Sequence, residues 1–189
     1  SSLPTHLRWS KWAWGWLGLG EGLWRRPEDY VCMEGELYVA GRPSRRRGGQ
    51  LSGSCVAGAL RGENEAYDLI SGMFLLLRVD NHGVDIATDR FSHMPIYVSL
   101  PNSTSQLTVL SSHVEWICEA EPRSLPLDPV SITELLLWDN ITYPYTTRKC
   151  VLQLSPGSVH AARVTEDGEV VLSSKELWRP REPNRWPSR

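Results

Sequence analysis

The sequence predicts an α+β domain: many short strands, two or so helices and a single hydrophobic core. Three observations carry that prediction. Apolar runs are short and punctuated by turn chemistry, as at Asp80-Asn81-His82-Gly83 and Glu166-Asp167-Gly168. Helical spacing of apolar residues is confined to Cys55–Ile70 and to a stretch beginning near Ile132. The chain of 189 residues, 41% hydrophobic and 22% charged, suits one sizeable core of ordinary composition.

The first eight residues are polar and unpatterned. From Arg8 to Leu17 the chain alternates, with Trp12, Trp14 and Trp16 on one face and Lys11, Ala13 and Gly15 on the other, which is the period of a half-buried strand. The glycines of Gly18-Leu19-Gly20-Glu21-Gly22 predict a turn, since a dinucleotide fingerprint needs another spacing and a strand–helix setting. Tyr30 to Val39 reads as a second strand. Gly41 to Gly53, rich in Arg, Gly and Ser, reads as a mobile surface loop. Ala57, Leu60, Ala66 and Leu69 predict a short helix within Cys55–Ile70.

Gly72 to Leu100 is the best-organised stretch. Met73–Val79 is a strand, Asp80–Gly83 a turn and Val84–Thr88 the return strand of a hairpin. Pro95–Val98 and Leu107–Ser111 follow as strands, and Val114–Glu119 as one or two helical turns. After a proline-bounded connection, Asp128-Pro129 starts a helix to about Asp139, with Ile132, Leu135, Leu136 and Trp138 as its apolar stripe. Val151–Leu154, Ser158–Val164 and Glu169–Leu172 are three further strands. Arg179-Pro180-Arg181-Glu182-Pro183 has linker composition, so the expected division is a domain at 1–178 and a linker at 179–189.

Composition excludes several function classes. A formal charge of -2 gives no reason to expect nucleic acid or a membrane surface as partner. Cys32, Cys55, Cys118 and Cys150 lack the close pairing of a zinc site and read as buried or half-buried thiols, although spacing alone leaves a disulfide open. Five histidines lack ligand spacing, so no metal site is expected. Asn102-Ser103-Thr104 and Asn140-Ile141-Thr142 match the glycosylation pattern without a secretory segment to support them. The longest clean apolar run, Met73–Leu77, suits a buried strand rather than a membrane span, and the chain reads as cytoplasmic.

Gly72-Met73-Phe74 and Thr88-Asp89-Arg90-Phe91-Ser92-His93-Met94-Pro95-Ile96-Tyr97 resemble a signature of asparagine synthetases and their relatives. In their N-terminal class II glutamine-amidotransferase domain a Gly-x-Phe strand precedes Arg-Asp-x-x-Gly-x-x-Pro-Leu-Tyr. Asp89, Pro95 and Tyr97 keep the spacing, whereas Thr88 and Ser92 stand where the family has Arg and Gly. Glu34-Gly35-Glu36-Leu37-Tyr38 is similar to the family's Asn-Gly-Glu-Ile-Tyr. Thr142-Tyr143-Pro144-Tyr145-Thr146, Leu154-Ser155-Pro156-Gly157 and Trp178-Arg179-Pro180 are similar to segments near that domain's end. The resemblance implies an Ntn-hydrolase-like αββα sandwich, stacked antiparallel sheets flanked by helices.

It also implies a lost active site. Members that hydrolyse glutamine use an N-terminal cysteine whose own amine is the base. Here Ser1 is the only candidate nucleophile. Glu34 replaces the Asn that would stabilise the oxyanion, and a carboxylate there repels developing charge. The family's glutamine-binding Asp and carboxylate-gripping Arg have no counterpart, which leaves Gly35 and Glu36 as candidate substrate-binding remnants. Such degenerate halves resemble those of β-lactam and carbapenam synthetases and of lasso-peptide macrolactam synthetases. The implied partner is an ATP-dependent synthetase domain or subunit, which would hold ATP and Mg and act on a natural product or peptide; no cofactor is expected in this chain itself. Tyr143, Tyr145 and Trp178 are the candidate partner interface. The alternatives are a free-standing peptide- or protein-binding module and an N-terminal-serine hydrolase.

Overall fold

A computed structural model of the chain describes residues 7–12, 15–20, 24–25, 35–46, 51–99, 108–121 and 124–180. β1 (Leu7–Trp12) and β2 (Gly15–Gly20) pair antiparallel, Leu7 opposite Gly20 and Trp12 opposite Gly15. The alternating tryptophan run is therefore not one strand to Leu17. It reverses after Trp12, and the glycines expected to turn lie partly in β2. β3 (Trp24–Arg25) pairs with β4 (Glu36–Gly41), the described part of the second predicted strand.

The predicted mobile loop carries β5 (Ser44–Arg45) and runs into α1 (Gly53–Leu60), whose N-terminus is capped by the Ser52 hydroxyl accepting from Cys55 N. The single helix expected over Cys55–Ile70 is two, α1 and α2 (Asn64–Asp68). Gly62 takes φ +80 between them, and the N–H groups of Arg61 and Gly62 close back on α1 carbonyls, which ends the helix. β6 (Ile70–Ser71) returns to pair with β5.

β7 (Phe74–Asp80) and β8 (Gly83–Thr88) form the predicted hairpin, Leu75 opposite Thr88 and Asp80 opposite Gly83. β9 (Tyr97–Ser99) and β10 (Leu110–Ser111) do not extend that hairpin but belong to a second sheet. α3 (Val114–Ala120), α4 (Pro129–Trp138), β11 (Val151–Gln153), β12 (Ser158–Val164) and β13 (Val170–Glu176) complete the described chain.

The two main sheets run β13-β12-β8-β7-β4-β3 and β10-β9-β11, and every pairing in them is antiparallel. Alternation along each strand sorts side chains into three cores. Val39, Phe74, Leu76 and Ala87 pack with Val56, Ala59, Leu60 and Tyr67 of α1 and α2. Leu75, Leu77, Val79 and Ile86 face the other way, onto Val98 of the second sheet and Leu154 at its margin. Tyr97 and Val151 point out of the second sheet onto Ile117 of α3. The layers are thus helix, sheet, sheet, helix, and the run Phe74–Leu77 is apolar without alternation because both faces of β7 are covered. The α+β class and its stacked antiparallel sheets are as the sequence predicts.

Of the cysteines, Cys55 and Cys118 are half-buried free thiols; Cys150, against expectation, is exposed, and Cys32 lies outside the described residues. No helix among the described residues is long and apolar enough to cross a membrane.

Candidate functional site

The turn between β11 and β12 organises one end of the large sheet. The Ser155 carbonyl accepts from Thr88 Oγ1 at 2.8 Å and from His160 Nε2 at 3.0 Å. Gly157 takes φ +60; its N–H donates to the Asp89 carbonyl, and its own carbonyl accepts from the N–H groups of Leu177 and Trp178, all at 2.9 Å. A Cβ at Gly157 would lie 2.8 Å from the Trp178 carbonyl oxygen, so the chain can cross here only over a glycine.

His160 is buried, with Nδ1 2.7 Å from Ser174 Oγ. Burial pulls its imidazole below the ordinary histidine value against the opposing pull of the Ser155 carbonyl. The neutral ring then donates through Nε2 and accepts the Ser174 hydroxyl at Nδ1. It is a tie between β12, β13 and the turn.

Asp89 shapes the neighbouring segment. Its buried carboxylate accepts from Phe91 N at 2.9 Å, His93 N at 3.1 Å and Phe74 N at 3.4 Å, and lies 3.0 Å from His93 Nδ1. Ser92 adopts φ 51, the left-handed backbone that a glycine favours. This tight loop lifts Phe91 out to 69% exposure, with its ring edge-on to Trp178 at 5.4 Å and to His93 at 5.7 Å. On the other flank Tyr143 hydroxyl meets Ser155 Oγ at 2.7 Å.

Helix α4 continues this surface. The Asp128 carboxylate accepts from the backbone N–H and, at 2.6 Å, the hydroxyl of Ser131, which with Pro129 fixes the start that the sequence predicts. Glu134 accepts from both the N–H and the hydroxyl of Thr142 at 2.9 Å, fastening the Tyr143–Tyr145 loop to the helix. Ser131 is the only buried residue of α4. Leu135, Leu136, Leu137 and Trp138 are consecutive, and at 100° per residue they encircle the helix end, so they cannot all turn inward onto this domain's own core. All four are exposed, Leu136 at 80% and Trp138 at 75%. Of the stripe that the sequence predicts, Ile132 is half-buried and Leu135, Leu136 and Trp138 are exposed.

The candidates from the sequence separate into two groups. Tyr143 and Trp178 meet the Ser155–Gly157 turn, and Tyr145 lies two residues on in the same loop as Tyr143; Tyr143 and Tyr145 are exposed and Trp178 is half-buried. Gly35 and Glu36 lie at the opposite end of the sheet, since Glu36 faces Val79 while Gly41 faces Phe74. Those ends are about 20 Å apart at the rise of a strand. Gly35 is exposed at φ +100, and the Glu36 carboxylate accepts the Tyr38 hydroxyl, so it is occupied within its own strand. Ser1, Glu34 and residues 181–189 of the linker lie outside the described residues. Sequence reasoning missed Phe91; its signal was an isolated aromatic among polar turn residues, with no alternation to bury it.

No family model and no curated protein matches the chain. Among solved structures it is similar to the allosteric regulatory enzyme of purine biosynthesis, at 11% identity and a TM-score of 0.39 over 85% of this chain and 32% of that one. It is also similar to glutamine phosphoribosylpyrophosphate amidotransferase from B. subtilis, at 9% identity and a TM-score of 0.36 over the same shares. The chain thus spans about a third of the length of these structures.

Proposed function

We propose that the chain is an amidotransferase-like domain without glutaminase chemistry, which serves as a docking scaffold for an ATP-dependent, asparagine-synthetase-like domain or subunit that forms amide bonds. The observation that carries this reading is the apolar surface of α4, continued by Tyr143 and Tyr145 and, across the Ser155–Gly157 turn, by Phe91 and Trp178. Aromatic residues exposed around well-braced backbone are what partner surfaces use, because the rigid frame leaves little entropy to lose on binding.

The missing chemistry is read from the sequence. Glu34 offers a negative charge where an oxyanion needs a donor. In this reading ATP and Mg are held by the partner, whose substrate carries its own attacking amine, as in β-lactam synthetases or lasso-peptide cyclases. Ammonia from glutamine is then unnecessary, and residues 179–189 are the linker towards that partner.

Two experiments test it. Incubation with glutamine is expected to release no glutamate; turnover abolished by Ser1→Ala would instead establish the terminal-serine hydrolase. Calorimetry with the neighbouring synthetase is expected to show association that Tyr145→Ala and Trp178→Ala each weaken by about 2 kcal/mol. No association at tens of micromolar would favour the free-standing binding module. That second reading has its own support in a groove of about 450 Å³ between α3 and α4, lined by Val114, Cys118, Leu127, Ile132 and Arg148.

A further inference from the structure

Helix α1 covers only part of its side of the six-stranded sheet. It ends at Leu60, over Val159, and beyond it the sheet presents Arg78, Asp85, Ala161 and Ser173 in one register row. Small side chains at 161 and 173 leave an open groove of about 470 Å³. Arg61 and Lys175 stand on one side of it, and Arg78 and Arg163 on the other.

The groove carries four cations and a single carboxylate, Asp85, in a chain whose net charge is -2. Asp85 is buried and holds two guanidiniums at once. Arg78 donates to its Oδ2 through Nε at 2.6 Å and again through Nη2, and Arg163 Nη2 donates to its Oδ1. Asp85 balances one guanidinium and Asp80, at ion-pair distance, offsets part of the other, so the excess positive charge of the groove rests chiefly with Lys175. Asp80, 3.8 Å from Arg78 Nη2, is too far to replace a hydrogen bond. Arg163 Nη1 is anchored on the Val84 carbonyl at 3.0 Å. Lys175 spends one of its three N–H bonds on the Gly62 carbonyl at 2.6 Å, and Arg61 pairs with exposed Glu63 at 2.8 Å. Among the described residues Arg78 Nη1 makes no hydrogen bond.

We propose that this groove binds the oxyanion group, phosphate or carboxylate, of a small ligand. Guanidinium forks held in place by a buried carboxylate suit the planar, two-oxygen recognition that such groups accept, and the positions are fixed before the ligand arrives. Lys175 adds a point charge across the groove.

The test is calorimetry of the full chain at low salt, with inorganic pyrophosphate in one arm and citrate in the other. At least one is expected to bind with Kd below about 1 mM, and the arm that binds identifies the oxyanion taken. Lys175→Gln and Arg163→Gln are each expected to weaken binding by about tenfold or more, as is raising NaCl, while Arg42→Gln, outside the groove, leaves it unchanged. Lys175→Gln leaves the Arg78–Asp85–Arg163 triad intact, so the test survives even if Arg163→Gln fails to fold. No binding of either anion at about 10 mM, or an affinity for Lys175→Gln within about twofold of wild type, overturns the proposal.

Discussion

Phe74–Val79 and Val130–Trp138 are both strongly apolar, yet they meet opposite fates. The first lies in β7 at the centre of the large sheet, with α1 and α2 on one face and the second sheet on the other, and Phe74, Leu75 and Leu76 are buried. The second forms α4, whose Val130 and Leu135–Trp138 stand in solvent while Ile132 is half-buried. Hydrophobic content alone therefore does not place a segment inside. β7 is buried because flanking strands and two cores close over it, whereas α4 is tied down by polar contacts, Asp128 to Ser131 and Glu134 to Thr142, that leave its apolar sides uncovered. A segment held by its polar groups with its apolar ones outward is the feature on which the proposed docking rests.

The contrast breaks most readily at Phe74. Its truncation to alanine is expected to cost about 3–5 kcal/mol by denaturant titration, the cost of a cavity between sheet and helices. A loss near zero would mean that the β7 core is not closed. Next in size is Asp85→Asn, which leaves two guanidiniums facing each other and is expected to cost about 3 kcal/mol by the same titration.

The third effect is one of pH. His160 is buried and neutral, with its folded pKa depressed by burial. Its contribution is complete above the unfolded value of about 6.5 and is lost as pH falls, because the unfolded chain takes up a proton that the folded one refuses. Stability is expected to decline by at most about 1.4 kcal/mol per pH unit below that value, until the folded imidazole protonates. His160→Gln should flatten that limb, as followed by thermal melts from neutral pH downward. The smallest effect belongs to α4: Leu136→Ser is expected to change stability by less than about 0.5 kcal/mol, because the side chain has nothing to lose on unfolding.

Where an element was legible in the sequence, local chemistry decided it. The β7–β8 hairpin follows from an apolar run and a four-residue turn, and the α4 start from Asp128-Pro129. The Ser155–Gly157 turn was likewise readable from Pro156-Gly157. Legibility failed where long-range pairing decides. Nothing local says that β9 leaves the sheet of β8, that the tryptophan run folds back on itself, or that a helix of leucines stays uncovered. Of the interface candidates taken from the segments that carry the resemblance, Tyr143 and Trp178 both touch the Ser155–Gly157 turn, while Tyr145 stands exposed beside Tyr143. Gly35 and Glu36, from the same resemblance, sit at the far end of the sheet. The Arg78–Asp85–Arg163 groove could be found only in three dimensions, because its members are distant in sequence.

Hydrogen exchange along the chain, alone and mixed with the proposed synthetase partner, tests the proposed docking surface most directly. Alone, amides of Leu135–Trp138 and Tyr143–Tyr145 are expected to exchange quickly, and those of β7 and β8 slowly. With the synthetase present, protection should rise in α4, the Tyr143–Tyr145 loop and around Phe91, while the far end of the β12–β13 hairpin, at Val164 and Val170, stays unchanged. An exchange pattern that is the same with and without saturating synthetase would contradict the account, since α4 would then be exposed for no partner of that kind.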